Sequence, residues 1–251
     1  MNHPNHYSSE FLNKIEAALI AEKNLGQPLC AAFDADGTLW ATDLGEHFFN
    51  YIIQHQLVPL PKDPWAHYLN MKKVNNDPRP AYLWLAQIAK GIPLTKLRAW
   101  AEEAVATYQP LPIFADQMKL IQLLLKYQVE VFIVTASITW AVEPGARRLG
   151  LKESNVIGVE TKVENGLITD IGHGVVTYKQ GKVEALLKHT QGTKPFLASG
   201  NSSGDIQLLE SATHFAIAIN SVNEKDRIYQ AEQELAAIAA QKNWPYFFFK
   251  N

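Results

Sequence analysis

Short apolar runs alternate with longer stretches of helical periodicity along most of the chain. Phe11, Ile15, Ala18 and Leu19 recur at helical spacing behind Ser8 and Ser9, either of which can cap a first turn, so a helix is predicted to about residue 24. Leu25-Gly26-Gln27-Pro28 ends it, and residues 29–33 read as a buried strand, too short for a free helix. Residues 129–134, 196–198 and 214–219 have the same character and predict three further strands. Helices are expected over 115–127, where Met118, Leu120, Ile121, Leu124 and Leu125 make a wide apolar face, and over 145–149, 183–189 and 224–241. Residues 156–171 alternate on both sides of Glu164-Asn165-Gly166, the pattern of a hairpin.

The texture changes between residues 45 and 108. Phe48, Phe49, Ile52 and Ile53 form one helical stripe, and Tyr82, Leu83, Leu85, Ile88 and Ala89 form another. Pro59, Pro61, Pro64, Pro78, Pro80 and Pro93 cut the stretch into short pieces, and four helices are expected. Gln109-Pro110-Leu111-Pro112 reads as a return linker, with both connections near the sheet edge. Trp65, Tyr68, Tyr82, Trp84 and Trp100 are expected to form this block's own core. The predicted class is α/β: a doubly wound, Rossmann-like parallel sheet core from residues 1–44 and 109–251, with a helical cap inserted at 45–108.

Composition narrows the possibilities. The 251 residues are 47% hydrophobic and 19% charged with net charge -2, which argues against disorder, a membrane span or a basic nucleic-acid surface. Cys30 is the only cysteine, so no intramolecular disulfide forms, and its apolar setting predicts a reduced, buried thiol. The opening Met1-Asn2-His3-Pro4-Asn5-His6 is polar and leads into an amphipathic stretch rather than an apolar signal core, so the expected location is cytoplasmic. Trp244-Pro245-Tyr246-Phe247-Phe248-Phe249 is too aromatic for a free tail and is expected to pack on the core or on a partner subunit of a homodimer.

The predicted strands end in polar residues: Asp34 and Asp36 after the first, Thr135, Ala136 and Ser137 after the second, Asn201 and Asp205 after the third. In a parallel sheet these ends converge on one crevice, where open α/β sheets place their ligands. Each has a plainer reading. Asp-x-Asp-Gly makes a good turn, Thr135 suits a strand as a β-branched residue, and a lysine is usually a solvated surface group. A cation is still needed to offset the carboxylates and a bound phosphate. Lys182, opening the helix before the third strand, is well placed, with Lys179 as the alternative.

Taken in order, Asp34-Ala35-Asp36-Gly37-Thr38, a strand-terminal Thr135, Lys182 and Gly200-Asn201-Ser202-Ser203-Gly204-Asp205-Ile206-Gln207-Leu208-Leu209 resemble the four motifs of the haloacid dehalogenase superfamily. The chain is most similar to the phosphoserine-phosphatase-like branch, whose helical cap lies between the first and second motifs. The resemblance runs from about residue 29 to residue 220. It implies that Asp34 is a nucleophile forming an aspartyl-phosphate, and that Asp36 protonates the leaving oxygen and then activates water. Lys182 would pair with Asp34 and the phosphoryl group, while Thr135 and the Ala136 amide would hold phosphate oxygens; Ser137 would add a phosphate or substrate contact or, alternatively, play an Asx-like capping role. Mg2+ would be held by Asp34, Asp36, Asn201 and Asp205 and, with the lysine, would neutralise the phosphoryl charge that a carboxylate nucleophile must approach. Dehalogenases of the superfamily lack the second Asp, so carbon–halogen hydrolysis is not expected.

One position departs from the pattern: family members commonly carry Asp where this chain has Asn201, and an amide oxygen brings a ligand without a charge. Asp43 lies near the place where phosphoserine phosphatases keep an acid for the substrate's ammonium group, with Glu46 as an alternative; either can instead cap the first cap helix. With Trp40 or a cap tryptophan beside it, such an acid would hold an amine by charge and cation–π attraction. The expected activity is magnesium-dependent hydrolysis of a small phosphomonoester, such as phosphoserine, phosphoethanolamine or phosphocholine, with no nucleic-acid or membrane partner. Phosphoryl transfer through the same intermediate, and a non-catalytic phospho-ligand-binding protein, are the alternatives.

Overall fold

The computed structural model describes residues 5–26 and 28–249; residues 1–4 of the polar opening, and Gln27 in the predicted helix stop, lie outside them. The first half of the chain forms α1 (Ser9–Asn24), β1 (Cys30–Phe33), α2 (Leu44–Gln54), α3 (Pro64–Lys73), α4 (Arg79–Gln87), α5 (Leu94–Ala106) and α6 (Ala115–Lys126). There follow β2 (Glu130–Ile138), α7 (Thr139–Arg148), β3 (Val156–Glu164), β4 (Leu167–His173) and α8 (Gln180–His189). The chain closes with β5 (Leu197–Gly200), α9 (Ile206–Ser211), β6 (Phe215–Asn220), α10 (Tyr229–Lys242) and β7 (Tyr246–Phe248).

Among the described residues one sheet of seven strands runs in the order β4-β3-β2-β1-β5-β6-β7. Every pairing is parallel except the β3–β4 hairpin. The chain winds outward from β1 to β3 and then returns to β5 on the other side, the doubly wound arrangement that the alternation of elements predicts. Side-chain alternation divides each strand between two cores. Ala31, Phe33, Val131 and Ile133 pack with Ile15 and Leu19 of α1 and Leu120, Ile121 and Leu124 of α6. Cys30, Ala32, Phe132 and Val134 face the opposite way, onto Leu186 of α8 and Leu208 of α9. Because both faces are covered, the strands can be apolar throughout, which is why they read as unbroken runs.

Several boundaries differ from those the sequence suggests. α7 begins at Thr139 rather than residue 145: burial of Trp140, Ala141, Val142 and Ala146 holds the helix across Pro144. α8 and α10 likewise begin at Gln180 and Tyr229, and α9 is an additional helix. The aromatic segment is a strand. β7 pairs with β6, and Phe247 and Phe249 pack on the Tyr7 ring at centroid distances of 4.6 and 5.4 Å. These aromatics therefore belong to the chain's own core. No helix among the described residues is long and apolar enough to cross a membrane.

Four α-helices among the described residues, α2–α5, make up the inserted block, and Phe48, Phe49, Ile52, Leu85 and Leu97 lie in its core. That core is shared: Ile138, Trp140 and Ala141, and Val159 and Ile168 of the hairpin, belong to the same cluster. Arg98 of α5 adds a two-pronged contact to the nearly buried Glu143 of α7, at 2.8 and 2.6 Å. The outgoing and returning connections run side by side, with Ala41 N–H donating to Pro112 O (2.9 Å) and Phe114 N–H to Leu39 O (2.9 Å). They leave over β1 in the middle of the sheet and not at its lateral edge, which corrects that expectation. The cap is thereby suspended over the carboxyl end of the central strand.

Cys30 is 3% exposed and its Sγ contacts the carbonyls of Thr193 and Lys194 at 3.8 and 3.6 Å. Burial pushes the thiol from its ordinary 9.0 up to about 12, with the charge of Glu130 adding to the effect. Since the thiolate is the reactive form, a disulfide reagent at pH 8 is expected to modify Cys30 at least a hundredfold more slowly in native than in urea-unfolded protein. The sign of the linked stability follows. Below pH 9 the thiol is neutral folded or unfolded, and stability is lost as pH rises from 9 toward 12 because only the unfolded chain ionises.

Candidate active site

Asp34 follows directly on β1, and its N–H donates to Ser199 O of β5 (2.8 Å), so two adjacent strand ends fix its backbone. Its carboxylate accepts from Lys182 Nζ at Oδ1 (2.6 Å) and from Thr38 Oγ1 at Oδ2 (3.1 Å). Lys182 is 2% exposed and also reaches Asp205 Oδ1 at 2.5 Å, so one buried ammonium bridges two buried carboxylates. Lys182, not Lys179, therefore serves this site; Lys179 Nζ lies over the Tyr178 ring at 5.4 Å. After Asp36 the chain turns at Gly37, where φ is +75° and a Cβ would overlap the Asn201 amide. The turn brings Trp40 Nε1 (2.8 Å) and Leu44 N–H (2.8 Å) onto Asp36 Oδ1. Ser137 Oγ donates to Asp36 Oδ2 at 2.7 Å. Gly45 permits this contact, since a Cβ there would overlap Ser137 Oγ.

Thr135, Ala136 and Ser137 lie inside β2 rather than beyond it. The β2–β3 register slips here: Val134 pairs with Ile157 and Ile138 with Val159, so the three residues bulge out of the ladder toward the cavity. Thr135 is 1% exposed, and its Oγ1 accepts from Ser137 N–H at 3.0 Å.

Burial, reinforced by Asp205 and opposed by Lys182, pushes Asp34 from its ordinary 3.8 up to about 7. Asp36 is also raised by burial, with donors from Trp40, Leu44 and Ser137 holding the rise back. For Lys182 burial alone would favour the neutral amine, but Asp205 and Asp34 more than compensate and keep it protonated. Two carboxylates thus sit a few residues apart with raised affinities for protons, one gripped by a cation and one by neutral donors.

Asp205 has its Oδ1 on Lys182, and its Oδ2 accepts from Asn201 N–H (3.2 Å), Ser202 N–H (3.0 Å) and Ser202 Oγ (3.0 Å). It anchors the lysine and the loop, and any contact with a metal would come in addition to these bonds. The Asp36 carboxyl is similarly engaged, which leaves its backbone carbonyl for that role. Thr38 Oγ1 lies 3.1 Å from Asp34 Oδ2 and 3.3 Å from Asn201 Oδ1, so these two oxygens are near neighbours and, with the Asp36 carbonyl, are the kind of oxygen donors that Mg2+ takes. Asn201 Nδ2 is turned away and donates to Glu232 Oε1 of α10 at 3.0 Å.

These groups open into a cavity of about 390 Å³ between sheet and cap, lined by Asp34, Asp36, Thr135, Ala136, Ser137, Lys182, Asn201 and Asp205. Its outer half carries Asp43, Glu46, Tyr68, Lys72, Tyr82 and Arg227. Asp43 caps α2, accepting from Glu46 N–H at 2.7 Å, and both acids face Arg227 of the loop before α10: Glu46 in a direct ion pair, Asp43 at 3.8 Å. Trp40 is fully buried; its ring packs against Gly145 and its Nε1 serves Asp36, so its expected place in the substrate pocket is corrected. The cavity's aromatics are tyrosines instead. Tyr68 and Tyr82, read from sequence as cap core, line the cavity, with Lys72 Nζ 5.2 and 5.3 Å from their ring centroids. Periodicity marks such residues as apolar and cannot tell a cavity wall from a core. Glu232 also escaped notice, although a carboxylate sharing the helical stripe of Leu235 and Ala239 is the available signal.

A model of the haloacid dehalogenase-like hydrolase family matches residues 31–210. A phosphorylcholine phosphatase of Pseudomonas aeruginosa is 25% identical over 201 residues, 64% of this chain and 56% of that protein; the chain thus spans little more than half of this relative's length. Among solved structures, a conserved protein of unknown function from Anaerococcus prevotii superposes with a TM-score of 0.71 at 14% identity, covering 98% of this chain and 93% of the other. A phosphoserine phosphohydrolase-like protein from Francisella tularensis gives a TM-score of 0.53 at 19% identity, covering 84% and 99%. Both share the fold described above.

Proposed function

Because the chain belongs to the haloacid dehalogenase-like hydrolase family, we propose that it is a magnesium-dependent phosphatase acting on a small phosphomonoester whose alcohol carries an amine or ammonium. The observation that carries the reaction type is the meeting of Asp34, Asp36 and Lys182 at one end of a capped cavity. Asp34 attacks phosphorus while Lys182, which opposes the rise in its proton affinity, offsets charge on the phosphoryl group. Thr135 and the Ala136 amide, displaced from the sheet by the bulge, take phosphoryl oxygens. Asp36 gives its proton to the leaving oxygen and then draws a proton from the water that hydrolyses the aspartyl-phosphate, its raised proton affinity suiting both roles. Mg2+, when held by Asp34, the Asp36 carbonyl and Asn201, supplies the charge that lets a carboxylate approach a phosphate dianion. The cap excludes bulk water and selects the leaving group.

Lys72 supports the substrate class. Its ammonium rests on the faces of Tyr68 and Tyr82, beside Asp43 and Glu46, so those rings would receive a substrate's ammonium where Lys72 swings aside. The name of the Pseudomonas relative points to the same class. Phosphate release from phosphocholine, phosphoethanolamine, phosphoserine and glycerol phosphate, with magnesium or with chelator, tests the proposal. Magnesium-dependent release with the amine esters preferred at least tenfold is expected; equal rates for glycerol phosphate would contradict the substrate class. Lys72→Ala vacates the rings and is expected to lower the KM for phosphocholine about three- to tenfold relative to glycerol phosphate.

A further inference from the structure

Asn201 and Glu232 form a unit that the family motifs do not contain. Glu232 is fully buried, yet it lies on the inner stripe of α10 and meets donors on every side. Oε1 accepts from Asn201 Nδ2 (3.0 Å) and Ser221 Oγ (3.1 Å), while Oε2 accepts from Ser221 N–H (3.1 Å) and Val222 N–H (3.3 Å). A carboxylate, which only accepts, fits this surrounding. On the other side, Asn201 Oδ1 accepts from Thr38 Oγ1 at 3.3 Å, the hydroxyl that also contacts Asp34. Turning the Asn201 amide over would set its oxygen against the Glu232 carboxylate and its NH2 against Thr38, so Glu232 determines which atom faces Asp34.

We propose that Glu232 is a positioning residue for the cation site: it locks the Asn201 oxygen toward Asp34 and supplies, one hydrogen bond further out, the negative charge that a ligand Asp would carry. The inference rests on the reading of Asp34 and Asn201 as Mg2+ ligands. Polarised by the carboxylate on its NH2, the Asn201 carbonyl oxygen is a stronger donor than a free amide. Outer partners of this kind typically set metal affinity by about 10- to 100-fold. The side chain also ties α10 to Ser221 and Val222 at the cavity wall, so simple truncation would mix two effects.

The test is Mg2+ titration of the purified protein by calorimetry, without substrate, alongside the thermal midpoint in chelator. Glu232→Gln keeps the shape but sets an NH2 against buried donors, so it is expected to lower the metal-free midpoint and, beyond that, to weaken Mg2+ binding at least tenfold. Combining it with Asn201→Asp returns the charge to the ligand itself, and the double variant is expected to recover wild-type affinity. A merely structural Glu232 predicts a lowered metal-free midpoint with Mg2+ affinity unchanged in Glu232→Gln. Wild-type binding unchanged in Glu232→Gln, or a double variant no better than the single, would overturn the inference alone. A wild-type protein that binds no divalent cation would overturn the metal reading and this inference with it.

Discussion

Asp34→Asn is expected to abolish turnover, by about 10⁴-fold or more, while making the metal-free protein more stable. The loss follows because an amide cannot form the aspartyl-phosphate, although the cavity and Lys182 are retained. The gain follows from burial. Asp34 and Asp205 place two carboxylates on Lys182 with Asp36 nearby, and burial with Asp205 holds the Asp34 proton up to about 7 against an ordinary 3.8. The fold therefore disfavours the ionised form. The resulting destabilisation is absent below about pH 4, grows as pH rises, and is complete above pH 7. Thermal melts in chelator should show Asp34→Asn several degrees above wild type at pH 8, with the difference shrinking toward pH 4, each kcal/mol being worth about 2–4 °C in a chain of this size. A lower midpoint at pH 8 would contradict this electrostatic account.

Lys182→Met carries the largest expected loss of stability. The lysine is the cation between Asp34 and Asp205 at 2.6 and 2.5 Å, and methionine would leave two buried carboxylates facing each other. Breaking a buried pair by removing one partner typically destabilises by about 3–5 kcal/mol. A drop of that order in urea denaturation at pH 8 is expected, with loss of activity from what remains folded. Adding Asp34→Asn to Lys182→Met should restore part of the stability, because one of the orphaned charges is then gone; strict additivity of the two changes would show that the groups do not act as a unit.

The sheet is legible because its strands are buried on both faces and appear as short apolar runs, with Asp34 immediately after one and Thr135 within another. Asp34, Thr135 and, from the first turn of α8, Lys182 line one cavity because strand order brings these segments together. Other parts depend on distances between segments remote in the chain. Trp40 was misplaced because an indole can serve a pocket by its face or a carboxylate by its N–H, and only the turn at Gly37 decides for Asp36. The contacts of Asp205 with Lys182 and with backbone that folds back over it are likewise non-local. The aromatic end was recognised as too apolar for solvent, but its pairing with β6 is non-local. Glu232 lies 31 positions beyond Asn201, on a helix whose other buried positions are apolar.

The most direct measurement is acid quenching of the enzyme during turnover of a phosphomonoester with magnesium, followed by peptide mapping by mass spectrometry. The account predicts a covalent phosphate on the peptide that carries Asp34, absent from Asp34→Asn. Steady turnover with no phosphate on that peptide, or turnover that survives Asp34→Asn, would contradict it.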